Sequence, residues 1–196
     1  MRFGIFKFDE LIGDIAGGRI VLIESIGDLG LRLSLHFLKN ADKVSAIIPK
    51  RLKRDLEAIL RNAKILTPNE DFTLHELFTI SLVTKRLDGV ILLDILQTLL
   101  IIHSPEKVYQ LFQEVCDIVR EKEGIMLTNI DKKLVDERVL AMFENEADYV
   151  IEIEEIVENL RIRRGIRVKK NPLAPPSKFY ELIVDEGGIR LGEIFD

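Results

Sequence analysis

The stretch from residue 18 to residue 40 constrains the fold of this chain more than any other. Residues 19–24 are mostly aliphatic and predict a buried strand, residues 25–30 predict a tight loop, and residues 31–39 predict an amphipathic helix. A strand that enters a helix through a short glycine-containing loop is typical of α/β folds. The start of such a helix offers unpaired N–H groups and a positive dipole end to an anion.

The chemical groups of a phosphate-binding loop are missing from this stretch. The Walker motif reads Gly-x-x-x-x-Gly-Lys-Ser/Thr, and the corresponding positions are Ser25, Gly30, Leu31 and Arg32. Leucine replaces the lysine that neutralises phosphates, and arginine replaces the hydroxyl that holds magnesium. Asp28 adds a negative charge that repels a triphosphate. The sequence therefore predicts the scaffold of an anion site without its cations.

Up to about residue 148 the chain alternates between predicted helices and predicted strands, and from there it contains strands alone. Helices are predicted at residues 3–11, 50–62, 73–85, 104–123 and 131–143, and strands at 43–48, 64–67, 90–94 and 125–128. Later strands are predicted at 149–157, 160–170, 179–184 and 189–194, with a Gly187-Gly188 turn before the last. The alternation predicts a mainly parallel sheet with helices on both faces, and the last strands predict antiparallel additions at one edge. No repeat or linker interrupts the pattern, so we expect one domain over residues 1–196.

Two of the predicted helices carry start signals. Residues 73–76, Thr-Leu-His-Glu, have the spacing of a capping box and predict a helix that begins at Thr73. Ser104 followed by Pro105 predicts the start of the next long helix, and Gly124 predicts its end.

Composition excludes several classes of protein. The chain is 47% apolar and 31% charged, which is typical of a globular protein, and its net charge of −5 gives no overall attraction to nucleic acid or an anionic membrane. The most apolar run, residues 90–102, is too short to span a bilayer, and residues 1–4 lack the apolar core of a signal peptide. We therefore expect a cytoplasmic protein without a membrane segment. Few glutamines and many Glu, Lys, Arg and Ile residues are typical of growth at high temperature.

The metal-binding residue types do not cluster in the sequence. Cys116 is the only cysteine, which excludes an intramolecular disulfide, and we expect it to be a buried, inert thiol. His36, His75 and His103 share no metal-ligand spacing, so we expect no metal site.

Several segments, in order along the chain, resemble those of one family. Residues 4–13 resemble the segment before the phosphate loop, residues 18–24 the first core strand, and residues 90–94 the Walker B strand. Residues 147–152, 167–170 and 179–189 are similar to the closing strands. Together they resemble the RecA-like P-loop ATPases, nearest to the archaeal KaiC-like and RadA-like group. The resemblance implies a RecA-like three-layer α/β fold and assigns Asp94 to the aspartate that orients the magnesium-bound water.

The departures from this family fall on its chemistry. The resemblance implies a vestigial nucleotide site made of Ser25, Gly27, Asp28, Gly30, Leu31, Arg32 and Asp94. Where the family's second strand ends in a water-activating glutamate, Pro49 follows Ile48, and where a neighbouring subunit supplies a Lys-x-Arg pair, the chain reads Lys170-Asn171-Pro172. Phosphoryl transfer depends on positioning and charge neutralisation, so we expect no catalytic residues and no cofactor. The alternatives are a divergent ATPase that binds ATP with magnesium weakly, and an accessory factor in DNA recombination or repair.

Two cationic clusters stand out in this acidic chain. One lies on the helix predicted at 50–62 and the other on the strand predicted at 160–170; the residues singled out as an interaction patch are Lys50, Arg51, Arg54 and Lys170. The clusters are either solvated faces or a docking patch for an acidic surface such as the strand with Glu152, Glu154 and Glu155. Aromatic residues are not interleaved with these charges, which disfavours nucleic acid. We therefore expect a protein-binding or assembly module that forms a homo-oligomer, either a dimer or a ring, or binds another protein.

Overall fold

The structure of the chain is a computed structural model, which describes residues 1–158, 161–185 and 188–195. The helices are α1 (Phe6–Ile12), α2 (Leu29–Leu38), α3 (Lys53–Ile59), α4 (Leu77–Thr84), α5 (Leu96–Ile102), α6 (Pro105–Glu121) and α7 (Glu137–Glu146). The strands are β1 (Arg19–Ser25), β2 (Val44–Ile47), β3 (Lys64–Leu66), β4 (Val90–Leu93), β5 (Ile125–Asp131), β6 (Tyr149–Glu158), β7 (Arg161–Lys170), β8 (Tyr180–Asp185) and β9 (Gly188–Ile194). The predicted α/β class is confirmed.

All nine strands belong to one mixed sheet in the order β3-β2-β4-β5-β1-β6-β7-β8-β9. Every pairing from β3 to β6 is parallel, and the pairings from β6 to β9 are antiparallel. The predicted mainly parallel sheet with antiparallel C-terminal strands is therefore confirmed. Crossover helices separate the early strands and allow them to pair in parallel, whereas no described helix separates the strands from β6 to β9, so these pair as antiparallel neighbours.

Helices cover both faces of the parallel part. Successive side chains of a strand point to opposite faces, so Ile20 and Leu22 of β1 join one core and Val21 and Ile23 join the other. The first core contains buried residues of α4, α5, α6 and α7, and the second contains buried residues of α1, α2 and α3. The chain thus forms three layers, with β1 buried between two helical layers.

Several expected helix boundaries are wrong. The helix expected at 131–143 begins only at Glu137, because β5 continues to Asp131 and a 3-10 turn follows at Lys132–Leu134. Helix α2 begins at Leu29, so Gly30 lies in its first turn instead of in the loop. The helix expected at 50–62 is a 3-10 turn at Lys50–Leu52 followed by the shorter α3. Helix α4 begins at Leu77 with Glu76 at its N-cap, so the capping box at Thr73 does not form.

The capping box fails because its residues are occupied elsewhere. The hydroxyl of Thr79 accepts a hydrogen bond from the Thr73 N–H and donates to the Glu76 carbonyl. Phe72 is buried and forms an isolated bridge with Pro68, and residues 74–75 form a turn before α4. Tertiary contacts of this kind routinely outweigh a local capping signal.

The apolar run of residues 90–102 contains two elements. Strand β4 is followed by α5, a helix that was not predicted from the sequence, because the aliphatic residues around Asp94 and Gln97 show no clear helical period. By contrast, α6 begins at Pro105 after Ser104 and ends before Gly124 as expected. Leu160 of the predicted strand at 160–170 and Gly187 of the predicted turn lie outside the described residues. No described helix has the length and apolarity needed to cross a membrane.

Candidate functional site

The expected vestigial residues meet at one edge of the sheet. Ser25 ends β1 and pairs in register with Asp131 at the end of β5, while Asp94 directly follows β4. The carboxyl ends of these parallel strands therefore lie side by side. The chain leaves β1 for β2, which lies beyond β5 and β4, and leaves β5 for β6 on the other side of β1. Such a reversal at the carboxyl edge is where open α/β sheets bind ligands.

The loop between β1 and α2 has only three residues. The N–H groups of the glycine in the loop and of the glycine in the first turn of α2 already have acceptors. Gly27 adopts a left-handed conformation with φ of 63°, and its N–H donates to the carboxylate of Asp131 at 3.1 Å. The N–H of Gly30 donates to the hydroxyl of Ser25 at 3.1 Å. Two donors that would otherwise face an anion are thus bonded to the chain's own oxygens, one of them a carboxylate.

The position of Gly30 leaves no space in the loop. A Cβ atom on this residue would lie 2.6 Å from the hydroxyl oxygen of Ser25 and 3.1 Å from the amide oxygen of Asn129. The start of α2 is therefore packed directly on the ends of β1 and β5. This packing leaves no space between the start of α2 and the ends of the two strands.

Leu31 and Arg32, which stand where a Walker motif would have its lysine and hydroxyl, do not face the loop between β1 and α2. Leu31 is half-buried and packs against the core formed with α1, α2 and α3. Arg32 is exposed, and its guanidinium donates to the carboxylate of Asp28 at 2.7 Å, one helical turn away. Exposed pairs of this kind contribute little stability, but the pair does neutralise the only basic side chain of residues 25–32.

Asp94 is held in a polar chain between three elements. Its carboxylate accepts from the amide of Asn129 at 3.0 Å, and the amide oxygen of Asn129 accepts from the Ser34 hydroxyl at 2.9 Å. Burial raises the pKa of Asp94 to about 6, although the Asn129 hydrogen bond and the charge of Arg51 oppose the shift. The carboxylate thus has the Asn129 amide for its hydrogen-bond partner.

A second cluster, which the sequence analysis missed, surrounds Glu24 at the end of β1. Glu24 is fully buried; one carboxylate oxygen accepts from Lys169 at 3.2 Å, and the other has no hydrogen-bond partner within the described residues. Lys169 also donates to Glu144 of α7 at 2.7 Å. Burial, and after it the neighbouring carboxyl group of Glu144, raise the pKa of Glu24 to about 8 against the effect of Lys169. A glutamate that ends an aliphatic strand was the available signal.

A network of ion pairs continues from this cluster along β6 and β7. Lys132 contacts the carboxylates of Glu152 and Glu154, and Arg167 donates to Glu152 at 2.6 Å. Burial opposes the charged form of Glu152, but the hydrogen bonds from Lys132 and Arg167 outweigh it and lower the pKa of Glu152. Arg164 pairs with Glu155 at 3.2 Å. The acidic strand that was expected to attract another subunit is thus paired with the basic strand of its own chain.

The residues of the expected interaction patch are not brought together. Lys50 pairs with Glu70 at 2.9 Å, Arg51 lies near enough to Asp94 to lower its pKa, and Arg54 is exposed on α3. Lys170 lies at the other end of the parallel strands, beside the start of β6. Its ammonium donates to three carbonyls at the end of α7, at 2.6 to 3.3 Å. It therefore caps that helix.

The tertiary structure interleaves aromatic rings with the arginines of β7, contrary to the expectation from the sequence. The guanidinium of Arg163 lies 4.4 Å from the ring centre of Phe195, and that of Arg167 lies 4.6 Å from that of Phe179. The two rings flank Gly165, where a Cβ atom would lie 3.1 Å from Phe179. Because glutamates also pair with Arg163 and Arg167, these cations are partly neutralised.

The cysteine is buried as expected, and burial raises the pKa of the Cys116 thiol. His103 contacts the carbonyl of Leu74 at 2.7 Å. Among the described residues, no three His, Cys, Asp or Glu side chains form a group that could hold a metal ion. No protein-family model matches the chain, and no curated protein matches it.

Proposed function

We propose that this chain is a catalytically silent RecA-like domain that acts as a protein-binding or assembly module. The strand order supports the RecA-like part of the proposal. The strand that carries the loop and the strand that ends in Asp94 are separated by β5 alone, so that both open on the same edge of the sheet. A nucleotide bridged to magnesium needs these two positions on one edge.

One observation carries the proposed loss of catalysis. The glycine N–H groups that would cradle a phosphate are bonded to Ser25 and to the carboxylate of Asp131. A phosphate would have to displace a carboxylate whose charge has the same sign as its own. Because no lysine replaces the missing one, this displacement would gain no compensating ion pair.

Isothermal titration with ATP and magnesium tests the proposal. We expect no binding heat at micromolar protein concentration and no release of phosphate above the buffer rate. The variant Asp94→Asn should give the same trace as the wild type, because Asp94 has no metal to hold. Micromolar binding that is accompanied by turnover and lost in Asp94→Asn would contradict the proposal.

The divergent ATPase remains the second candidate because of Arg51. This residue follows β2 at the same edge, and its positive charge acts on Asp94. Perturbed carboxylates near a cation are frequent at catalytic sites. If Arg51 replaces the missing lysine, Arg51→Ala will abolish nucleotide binding in the same titration, while Arg54→Ala, an exposed arginine on the next turn, will not.

A further inference from the structure

The hairpin of β6 and β7 is paired over a longer stretch than the strands on either side of it. Its strands pair with each other from Val150 and Lys170 to Glu158 and Arg161. Strand β1 pairs with β6 only as far as Glu152, and β8 pairs with β7 only at Gly165 and Ile166. We call residues 155–158 and 161–164 the outer ribbon. At about 3.4 Å per residue, each of its strands runs for roughly 14 Å without a second ladder partner.

Both edges of the outer ribbon lack a neighbouring strand. Within the described residues, no third strand pairs with residues 155–158 or with residues 161–164. Alternate N–H and C=O groups of each strand therefore point outward without a ladder partner. Such edges are templates for another strand, and proteins normally shorten, bend or cover them.

The outer ribbon also exposes apolar side chains. Val157 and Ile162 lie opposite each other across the hairpin, and 70% and 61% of their surfaces are accessible. A directly opposed apolar pair stabilises a hairpin most when a third surface excludes water from it. Within the part of the chain that the structure describes, most of the surface of these two side chains stays uncovered.

Charge selects how a second strand can approach. The β6 side of the hairpin carries Glu154 and Glu155, which already contact Lys132 and Arg164. The β7 side carries Arg163 and Arg164, and Arg163 already pairs with Glu181. A second strand would therefore extend these pairs instead of neutralising unpaired charges. Two β6 edges placed together would set glutamate beside glutamate, and two β7 edges would set arginine beside arginine. A β6 edge next to a β7 edge sets acid beside base, which repeats the Glu155–Arg164 pairing found within the hairpin.

We propose that the outer ribbon binds a second copy of this chain head to tail, with the β6 edge of one copy against the β7 edge of the next. Such heterologous contacts form rings when the rotation closes and filaments when it does not. The inference rests on the assembly function proposed above and specifies its partner and surface. Its failure is distinguishable, because a monomeric chain that binds no ATP would overturn the ribbon contact and leave the silent nucleotide site intact.

Sedimentation velocity over a wide range of protein concentration tests the contact. We expect the mass of the wild type to rise with concentration and that of Val157→Asp to stay at one chain. Leu173→Asp is the matched control, since Leu173 is even more exposed, at 87%, but lies outside the hairpin. A monomeric wild type, or equal effects of the two variants, would overturn the proposal. If the monomeric wild type retards single-stranded DNA and Val157→Asp does not, the ribbon binds nucleic acid and the proposal is also overturned.

A charge exchange separates assembly from folding. Glu155→Arg places an arginine on both ribbon edges at positions 155 and 164, and Arg164→Glu places a glutamate on both, so each variant alone sets like charges against each other at this contact and should be monomeric. When the two variants are mixed, every β6 edge again has a β7 edge of opposite charge on the other variant. We expect the mixture to recover the wild-type mass, with melting curves showing that both variants fold. Assembly of either variant alone, or no recovery on mixing, contradicts head-to-tail pairing.

Discussion

At the scale of single residues, the carboxyl edge of the sheet is filled by the chain's own polar groups. Asp131 accepts from the Gly27 N–H, and Ser25 accepts from the Gly30 N–H. Ser25 and Asn129 also fill the space next to Gly30, where a Cβ atom would stand. The edge is therefore both bonded and packed by groups of the chain itself.

Gly30 tests how tightly this edge is packed. Alanine in place of glycine within a helix normally stabilises by about 1 kcal/mol. We expect Gly30→Ala instead to destabilise by roughly 1–3 kcal/mol, because the added Cβ would meet the Ser25 hydroxyl at 2.6 Å. Urea unfolding measures the change. In the Ser25→Gly background the loss should shrink, and an equal loss in both backgrounds would place the clash elsewhere.

Glu24 predicts an unusual pH dependence. Its pKa is about 8 in the folded chain against an ordinary value of about 4.5, so the folded state keeps a proton that the unfolded state has lost. Stability is therefore fully present below pH 4.5 and falls as pH rises through 8. We expect the free energy of unfolding of Glu24→Gln to exceed that of the wild type by roughly 1–3 kcal/mol at pH 9 and to differ little from it at pH 5.

Thermal melts across this pH range provide the measurement for Glu24. Glu144→Gln is the informative comparison, because it removes the neighbouring carboxylate and keeps the burial of Glu24. It should reduce the pH dependence without abolishing it. Parallel pH profiles for the wild type and Glu24→Gln would show that another group is responsible.

At the scale of elements, the caps of helices differ in what they contribute. Asp136 caps α7 by accepting from the Val139 N–H at 2.8 Å, whereas Ser104 occupies the N-cap of α6 without a side-chain bond. Sequence predicted the Ser104 cap position but not this difference. Only the side-chain geometry decides whether a capping residue bonds to the helix.

The two caps form a matched pair of variants. We expect Asp136→Ala to lower the free energy of unfolding by about 1 kcal/mol, since it leaves a helix donor without its partner. Ser104→Ala should have a clearly smaller effect. Chemical denaturation distinguishes the two, and equal losses would contradict the role of the Asp136 side chain.

At the scale of the whole molecule, Asp148 connects parts of the chain that are far apart in sequence. It precedes β6, pairs with Arg19 at 2.8 Å, accepts from the Ile20 N–H at 2.9 Å and lies 3.8 Å from Arg120 of α6. The start of the central strand, the next strand and the longest described helix therefore meet at one carboxylate.

The consequence for stability is testable by melting temperature. We expect Asp148→Asn to destabilise by roughly 1–3 kcal/mol, because two arginines lose the charge that they share. Asp14→Asn is the control, since Asp14 forms an exposed pair with Arg2 and should leave the melting temperature unchanged. A neutral Asp148→Asn would show that the charge does not contribute to this junction.

Sequence by itself determined the fold class of this protein, because the spacing of apolar residues and the positions of glycine and proline are local features of the chain. The aliphatic runs of β1 and β4, the stop at Gly124 and the change to strands alone near Asp148 predicted an α/β sheet with antiparallel strands at its C-terminal end. Sequence also showed that Leu31 and Arg32 stand where a Walker motif would have its lysine and its hydroxyl. These conclusions need only the identity and spacing of residues.

Tertiary structure alone decided the contacts between distant segments. Asp131 reaches the Gly27 N–H from more than a hundred positions away, and Lys169 reaches Glu24 from still farther. Lys170, one of a cationic cluster in the sequence, caps α7 instead of facing solvent with Lys50. The physical reason is that charge and hydrogen bonding depend on distance in space, which the order of residues along a chain does not specify.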